Sequence, residues 1–95
     1  MEIQKQLEGT TLTLAPQGRV DTITAPDLEA AVTVDGIDKL VFDLAAVDYI
    51  SSAGLRVLLS AQKRMAGRTM VIANACASVK EVFDITGFSD IFTFA

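Results

Sequence analysis

Two adjacent serines, Ser51 and Ser52, are the residues whose type and place best suit chemistry, because they stand where a compact apolar run gives way to a helical pattern. From Leu55 onward, Leu55, Leu58, Leu59, Ala61, Met65 and Ala66 recur at three- and four-residue spacing until Gly67, which predicts an amphipathic helix over 52–66. Ser51 then takes the N-cap position, where its hydroxyl can accept from an amide of the first turn, and Ser52 opens the helix and points outward. Four and eleven residues beyond Ser52 stand Arg56 and Lys63, so one polar stripe sets a hydroxyl at the positive end of the helix dipole with cations behind it. An anion is well received in such a place. Ala53 and Gly54, small residues in the first turn, suit the close approach of another group.

Paired serines at a strand-to-helix junction also suggest a nucleophile elbow, but the partners for that chemistry are missing. The chain has no histidine, the surroundings of Ser51 and Ser52 are not Gly-x-Ser-x-Gly, and no lysine lies in the motif to act as base. A single cysteine and scattered carboxylates make no metal-ligand cluster, and neither a dinucleotide fingerprint nor a P-loop occurs. No catalytic residue, metal or cofactor is implied. On residue type alone, Ser51 and Ser52 read as helix-start residues and Asp21 as a turn or cap residue. Asp48 and Tyr49 read as loop and packing residues that could rim the same surface.

The elements that must position this junction fit one α/β domain over residues 1–95. Half of the 95 residues are hydrophobic (51%), enough to bury about two-thirds of the unfolded surface at this size. Residues 2–7 and 11–15 read as a hairpin turning at Glu8-Gly9-Thr10, with Pro16 and Gly18 interrupting the second strand before Asp21 begins a loop. Thr24, Pro26 and Asp27 mark the start of a short helix whose stripe is Leu28, Ala31 and Val32, ended by Asp35-Gly36. The strand over 40–44, the helix over 52–66 and a strand over 69–73 then form a crossover of the kind parallel strands require, right-handed by rule. Ser78 and Glu81 form a capping box for a third helix with Val79, Val82 and Phe83 inward and Gly87 at its end. Ile91 to Phe94 is strand-like, and its phenylalanines pack either on the domain or on another copy as a weak homodimer.

Charge and cysteine usage narrow the setting. The net charge is −4, yet no Asp or Glu occurs between Asp48 and Glu81, where Arg56, Lys63, Arg64, Arg68 and Lys80 all fall. So few basic residues on an acidic chain argue against nucleic-acid binding. Lys63, Arg64 and Arg68 suit a helix C-terminus, which leaves Arg56 as the cation close to Ser52. No apolar run approaches the ~18 residues of a membrane span, and residues 1–5 lack the basic and apolar regions of a signal peptide. Cys76 is expected to be a small buried thiol in a reducing cytoplasm.

At this point the residues carry a resemblance. The segment from Tyr49 to Leu59, with Ser51, Ser52, Ala53, Gly54 and Leu55 at its centre, is similar to the signature of STAS domains, specifically the bacterial anti-sigma factor antagonists. Gly18 to Asp21, Thr24 to Leu28, Lys80 to Phe83 and Gly87-Phe88 extend the match over nearly the whole chain. The resemblance implies a small mixed sheet with an N-terminal hairpin, and Ser52 as phospho-acceptor. Ser51 stands where many members have Asp and is the competing acceptor. It also implies a partner surface drawn from Asp21, Thr22, Ser51, Ser52, Ala53, Gly54 and Arg56. The implied partners are an anti-sigma factor with serine kinase activity, whose sigma factor is freed, and a serine phosphatase that resets Ser52. The alternative reading is a STAS scaffold subunit of a signalling or lipid-transport complex whose serine helix docks a partner without being phosphorylated.

Overall fold

Alternation and apolar runs become strands where the expectations place them. In the computed structural model, which describes residues 1–95, β1 (Ile3–Glu8) and β2 (Thr11–Pro16) form the antiparallel hairpin, turning at Gly9 with φ +59°. Leu12, Leu14 and Pro16 face inward from β2 while Thr11, Thr13 and Ala15 remain half-buried, the period of two expected of a strand with one covered face. β4 (Lys39–Asp43) runs parallel to β2 and to β6 (Thr69–Ala73), and β7 (Thr93–Phe94) closes the order β1-β2-β4-β6-β7. The helices are α1 (Ala25–Ala31), α2 (Ser52–Met65) and α3 (Ala77–Thr86).

Each of the first two crossovers contains a strand that periodicity did not reveal. β3 (Gly18–Val20) precedes α1, β5 (Val47–Ile50) precedes α2, and the two pair parallel as a separate sheet. Asp48 and Tyr49 are therefore strand residues and not loop residues. β3 and β5 are three and four residues long, below the length at which alternation can be recognised, and each needs the other to complete its hydrogen bonds. Gly18, at φ +89° beside a register shift, supplies the bend that takes the chain out of β2.

Leu28 of α1, Leu55, Leu58, Ala61 and Met65 of α2, and Val79 and Phe83 of α3 join the inward residues of both sheets in one core. Arginines complete the second helix. The Arg68 guanidinium donates to the carbonyls of Met65, Val34 and Ile37 at 2.7–2.8 Å, and Arg64 donates to Val32 O at 3.0 Å. Both arginines thus tie the C-terminal end of α2 to the segment after α1, which agrees with their expected structural role and adds specific acceptors to it. The left-handed residue there is Ala66, at φ +52°, followed by Gly67 at +88°.

Two expectations about α3 fail. It begins one residue before Ser78, with Cys76 at the N-cap and no side-chain capping bond, so the Ser78–Glu81 capping box does not form. The Ser78 hydroxyl lies 3.2 Å from Cys76 Sγ instead. Cys76 is exposed, because it sits in the turn that leads out of the sheet and not within a strand. At the C-terminal end, Phe92 is buried and Phe94 half-buried, with edge-to-face contacts from Phe83 to Phe92 (5.8 Å) and Phe94 (5.2 Å). They pack on the domain itself. No helix is long and apolar enough to cross a membrane.

Candidate functional site

The serine junction is positioned by the small sheet. Val20 of β3 lies opposite Ile50 of β5, and the Ser51 N–H donates to Val20 O at 2.8 Å. This continues the ladder past both strands, so the loop Asp21-Thr22 runs alongside Ser51-Ser52 where α2 begins. Gly54 explains how α2 can start so close to the sheet. A Cβ there would stand 2.7 Å from both Ile50 Cγ1 and Val20 Cγ1, and 3.2 Å from Val20 O. The room that Ala53-Gly54 suggests is taken, at Gly54, by the protein's own strands. Gly54 is buried and belongs to the packing, not to an accessible partner surface.

The two serines are distinguished sharply. Ser52 is exposed and its hydroxyl has no hydrogen-bond partner within the chain. Ser51 occupies the N-cap with extended backbone (φ −96°, ψ 176°), but its hydroxyl makes no capping bond, and Oγ is a buried polar atom without a partner. The cap expected of Ser51 is therefore present in backbone and absent in side chain. The main chain does the work there, with Leu55 N–H donating to Ser51 O at 3.0 Å.

Asp21 organises the neighbouring loop. Its Oδ1 accepts from the backbone N–H groups of Ile23 (3.0 Å) and Thr24 (3.1 Å), and its other oxygen lies 3.6 Å from Arg19 Nε. The Thr24 backbone N–H first, then that of Ile23 and the Arg19 charge, hold the carboxyl below its usual range against the opposing effect of burial. The Thr24 hydroxyl, which the sequence suggests as a helix cap, donates to Arg19 O at 2.8 Å and accepts from Asp21 N–H at 2.9 Å. The loop is thus pinned by Asp21 where a simple N-cap was expected. Arg19 also stacks on Tyr49 at 4.2 Å, joining the outer faces of β3 and β5.

Beside Ser52 an open groove of ≈ 540 Å³ runs between α1 and α2, lined by Thr22, Ala25, Pro26, Glu29, Ala53, Arg56, Val57 and Ser60. Thr22, Ala53 and Arg56 thus meet on one surface. Sequence reasoning did not find Ala25, Pro26 and Glu29, whose only signal is their place in a short helix. Ile23, 85% exposed at the tip of the Asp21 loop, was also missed. Lys63 is exposed on the same helix, while Arg64 and Arg68 are engaged elsewhere. Three or more metal-ligating side chains do not gather anywhere in the chain.

Comparison with known proteins gives the arrangement a lineage. Residues 2–95 match the model of the STAS domain. BtrV of Bordetella bronchiseptica, named an anti-sigma factor antagonist, is 45% identical over 84 residues, covering 83% of this chain and 72% of BtrV. An anti-sigma factor antagonist of Mycobacterium paratuberculosis superposes with a TM-score of 0.89 at 23% identity, over 98% of this chain and 83% of that one. SpoIIAA, solved in its unphosphorylated form, superposes at 0.82 and 15% identity, over 99% and 88%. In its phosphorylated form the TM-score is 0.74. At such identities the two solved proteins speak for the fold, while the domain match and the BtrV relationship speak for descent. The chain belongs to the STAS domain family and stands among its anti-sigma factor antagonists.

Proposed function

We propose that this protein binds an anti-sigma factor through the surface around Ser52, which frees a sigma factor, and that phosphorylation of Ser52 ends the complex. The observation that carries this reading is the state of Ser52: exposed, unpartnered, and on the first turn of a fourteen-residue helix whose leading amides have no intrahelical acceptor. Ser51 Oγ, buried beside it, is out of reach of a kinase in the folded domain. A phosphate on Ser52 carries a charge of roughly −1.5 to −2 and is received by the helix amides, with Arg56 one turn on. The free domain tolerates it.

An interface does not. There the charge must be stripped of water where a neutral hydroxyl sat, at a cost of several kcal/mol, and each ~1.4 kcal/mol is a factor of ten in affinity. The groove between α1 and α2 and the exposed Ile23 supply the contact area around this switch point. The kinase is the bound anti-sigma factor itself, and a serine phosphatase restores the binding form.

The test is intact-mass spectrometry with peptide mapping after incubation with ATP and candidate anti-sigma kinases, alongside binding assays. Phosphate confined to Ser52 and absent from Ser52→Ala is the expected result. Ser52→Asp is expected to weaken partner binding by at least about tenfold, ~1.4 kcal/mol, with little change in stability. A partner that binds Ser52→Asp as tightly as the parent, with no phosphate transferred, would replace the switch by the scaffold reading.

A further inference from the structure

Ile23 is the most exposed large hydrophobic side chain of the protein, at 85% against 77% for Ile85 and 62% for Leu7. One apolar residue in water is ordinary on a protein surface, but one whose main chain is fixed there on both sides is not. The Ile23 N–H donates to Asp21 Oδ1 at 3.0 Å, and the next amide, of Thr24, donates to the same oxygen at 3.1 Å. The Thr24 hydroxyl ties the far side of the loop to Arg19 O and to the Asp21 N–H. Ile23 is therefore held between two anchored residues, and its branched Cβ stiffens χ1. The loop cannot fold this side chain down onto the domain without giving up those bonds.

Its place is beside the switch. The bond from Ser51 N–H to Val20 O sets the start of the Asp21 loop next to the start of α2, and Thr22 and Ala25, on either side of Ile23, line the same groove as Ala53 and Arg56. A partner that engages Ser52 meets Ile23 as well. From Thr22 to Pro26 no residue is charged. The carboxylate of the loop, Asp21, spends Oδ1 on main-chain amides, and its Oδ2 lies 3.6 Å from Arg19 Nε.

We propose, on the basis of the function proposed above, that Ile23 is the apolar anchor by which this chain docks on its anti-sigma factor, seated in an uncharged apolar pocket beside that partner's phosphoryl-transfer site, and that Asp21 is the positioning residue that holds Ile23 out for it. Asp21 acts on the partner through Ile23 and not by touching it. An anchor already fixed in its bound position loses little freedom on docking, so the burial of the isoleucine is retained as affinity.

The test uses the full chain and the anti-sigma kinase that phosphorylates Ser52 in the mass assay, with affinity measured by titration calorimetry in ADP and transfer kinetics in ATP. Ile23→Ala is expected to weaken binding at least about tenfold and to raise KM for Ser52 phosphorylation with kcat unchanged, because the contact is the same before and during transfer. Its urea midpoint should match the parent's, since the side chain is exposed. Asp21→Ala is expected to weaken binding in the same direction, and Asp21→Asn, whose amide oxygen still accepts from both N–H groups, to restore most of it. In an Ile23→Ala background Asp21→Ala should cost little more, as for two residues acting through one contact.

Parent affinity and KM in Ile23→Ala overturn the proposal while leaving the phosphorylation switch standing. Losses from Asp21→Ala and Ile23→Ala that add in full, or Asp21→Asn that binds as poorly as Ile23→Ala, make Asp21 a direct contact and overturn its positioning role. Sedimentation in which the parent dimerises and Ile23→Ala does not would assign Ile23 to a second copy and overturn the docking assignment. No phosphate on Ser52 with any kinase overturns the proposed function and this reading together. Where Asp21→Ala fails to fold, Ile23→Ala and Asp21→Asn still decide.

Discussion

Replacing Gly54 by alanine places a methyl carbon 2.7 Å from Ile50 Cγ1 and 2.7 Å from Val20 Cγ1. Carbon atoms rest at about 3.5–4.0 Å, so the first turn of α2 must withdraw from β3 and β5 by roughly 1 Å. Neither neighbour can yield by swinging into solvent, since Ile50 is 2% and Val20 0% exposed. Overpacking of this kind costs about 1–3 kcal/mol, while exchanging glycine for alanine inside a helix returns about 1 kcal/mol. The net expectation is a loss of about 1 kcal/mol, where an open helical glycine would give a gain of similar size. In a domain of this length that loss lowers Tm by about 4–8 °C. The same withdrawal stretches the bond from Ser51 N–H to Val20 O and moves Ser52, so partner affinity should fall together with stability. Thermal and urea unfolding of Gly54→Ala provide the measurement. A Tm raised by several degrees would refute the close-packing argument and return Gly54 to the accessible surface.

Ser51→Ala is expected to be neutral or stabilising by about 1 kcal/mol in urea unfolding, because it removes a buried hydroxyl without a partner. A loss of the ~0.5–2 kcal/mol typical of an N-cap would restore the capping role. Arg68→Ala is expected to cost about 2 kcal/mol in the same assay, since its guanidinium serves the carbonyls of Val34, Ile37 and Met65. The hydrogen bonds from the Thr24 and Ile23 amides hold the Asp21 carboxyl below its ordinary value of 3.8 in the folded state, so its stabilising contribution is fully present above that value. That contribution is lost as pH falls through the lower folded value. Asp21→Asn should therefore flatten the acid end of the stability profile, and a profile identical to the parent's below pH 3.8 would remove Asp21 from the account.

Much of this protein was legible in the chain because its long elements repeat a local pattern. The three- and four-residue spacing from Leu55 to Met65, the alternation of Leu12 and Leu14 with threonine, and the apolar run from Leu40 to Leu44 record which side of each element is buried. The placement of Ser52 at the exposed start of α2 follows from the same periodicity. So does the grouping of Arg56 with it on the helix surface. Local pattern could not announce β3 and β5, since strands of three and four residues exist only through their partnership with each other.

Nor could it separate Ser51 from Ser52 by hydrogen bonding, or assign Gly54 to the core. A serine before a helix is ordinarily a cap. Only the folded chain leaves Ser51 Oγ buried without a partner and brings Val20 and Ile50 into the space beside Gly54. Cys76 and Ser78 were misjudged for the same reason, because whether a residue next to a strand is buried or exposed depends on where the chain turns. Sequence by itself determined the elements, their inward faces and the serine at the head of α2, since these rest on interactions between residues a few positions apart. The tertiary structure alone decided the Asp21 loop beside Ser52 and the groove between α1 and α2, since each arises where segments distant in the chain meet.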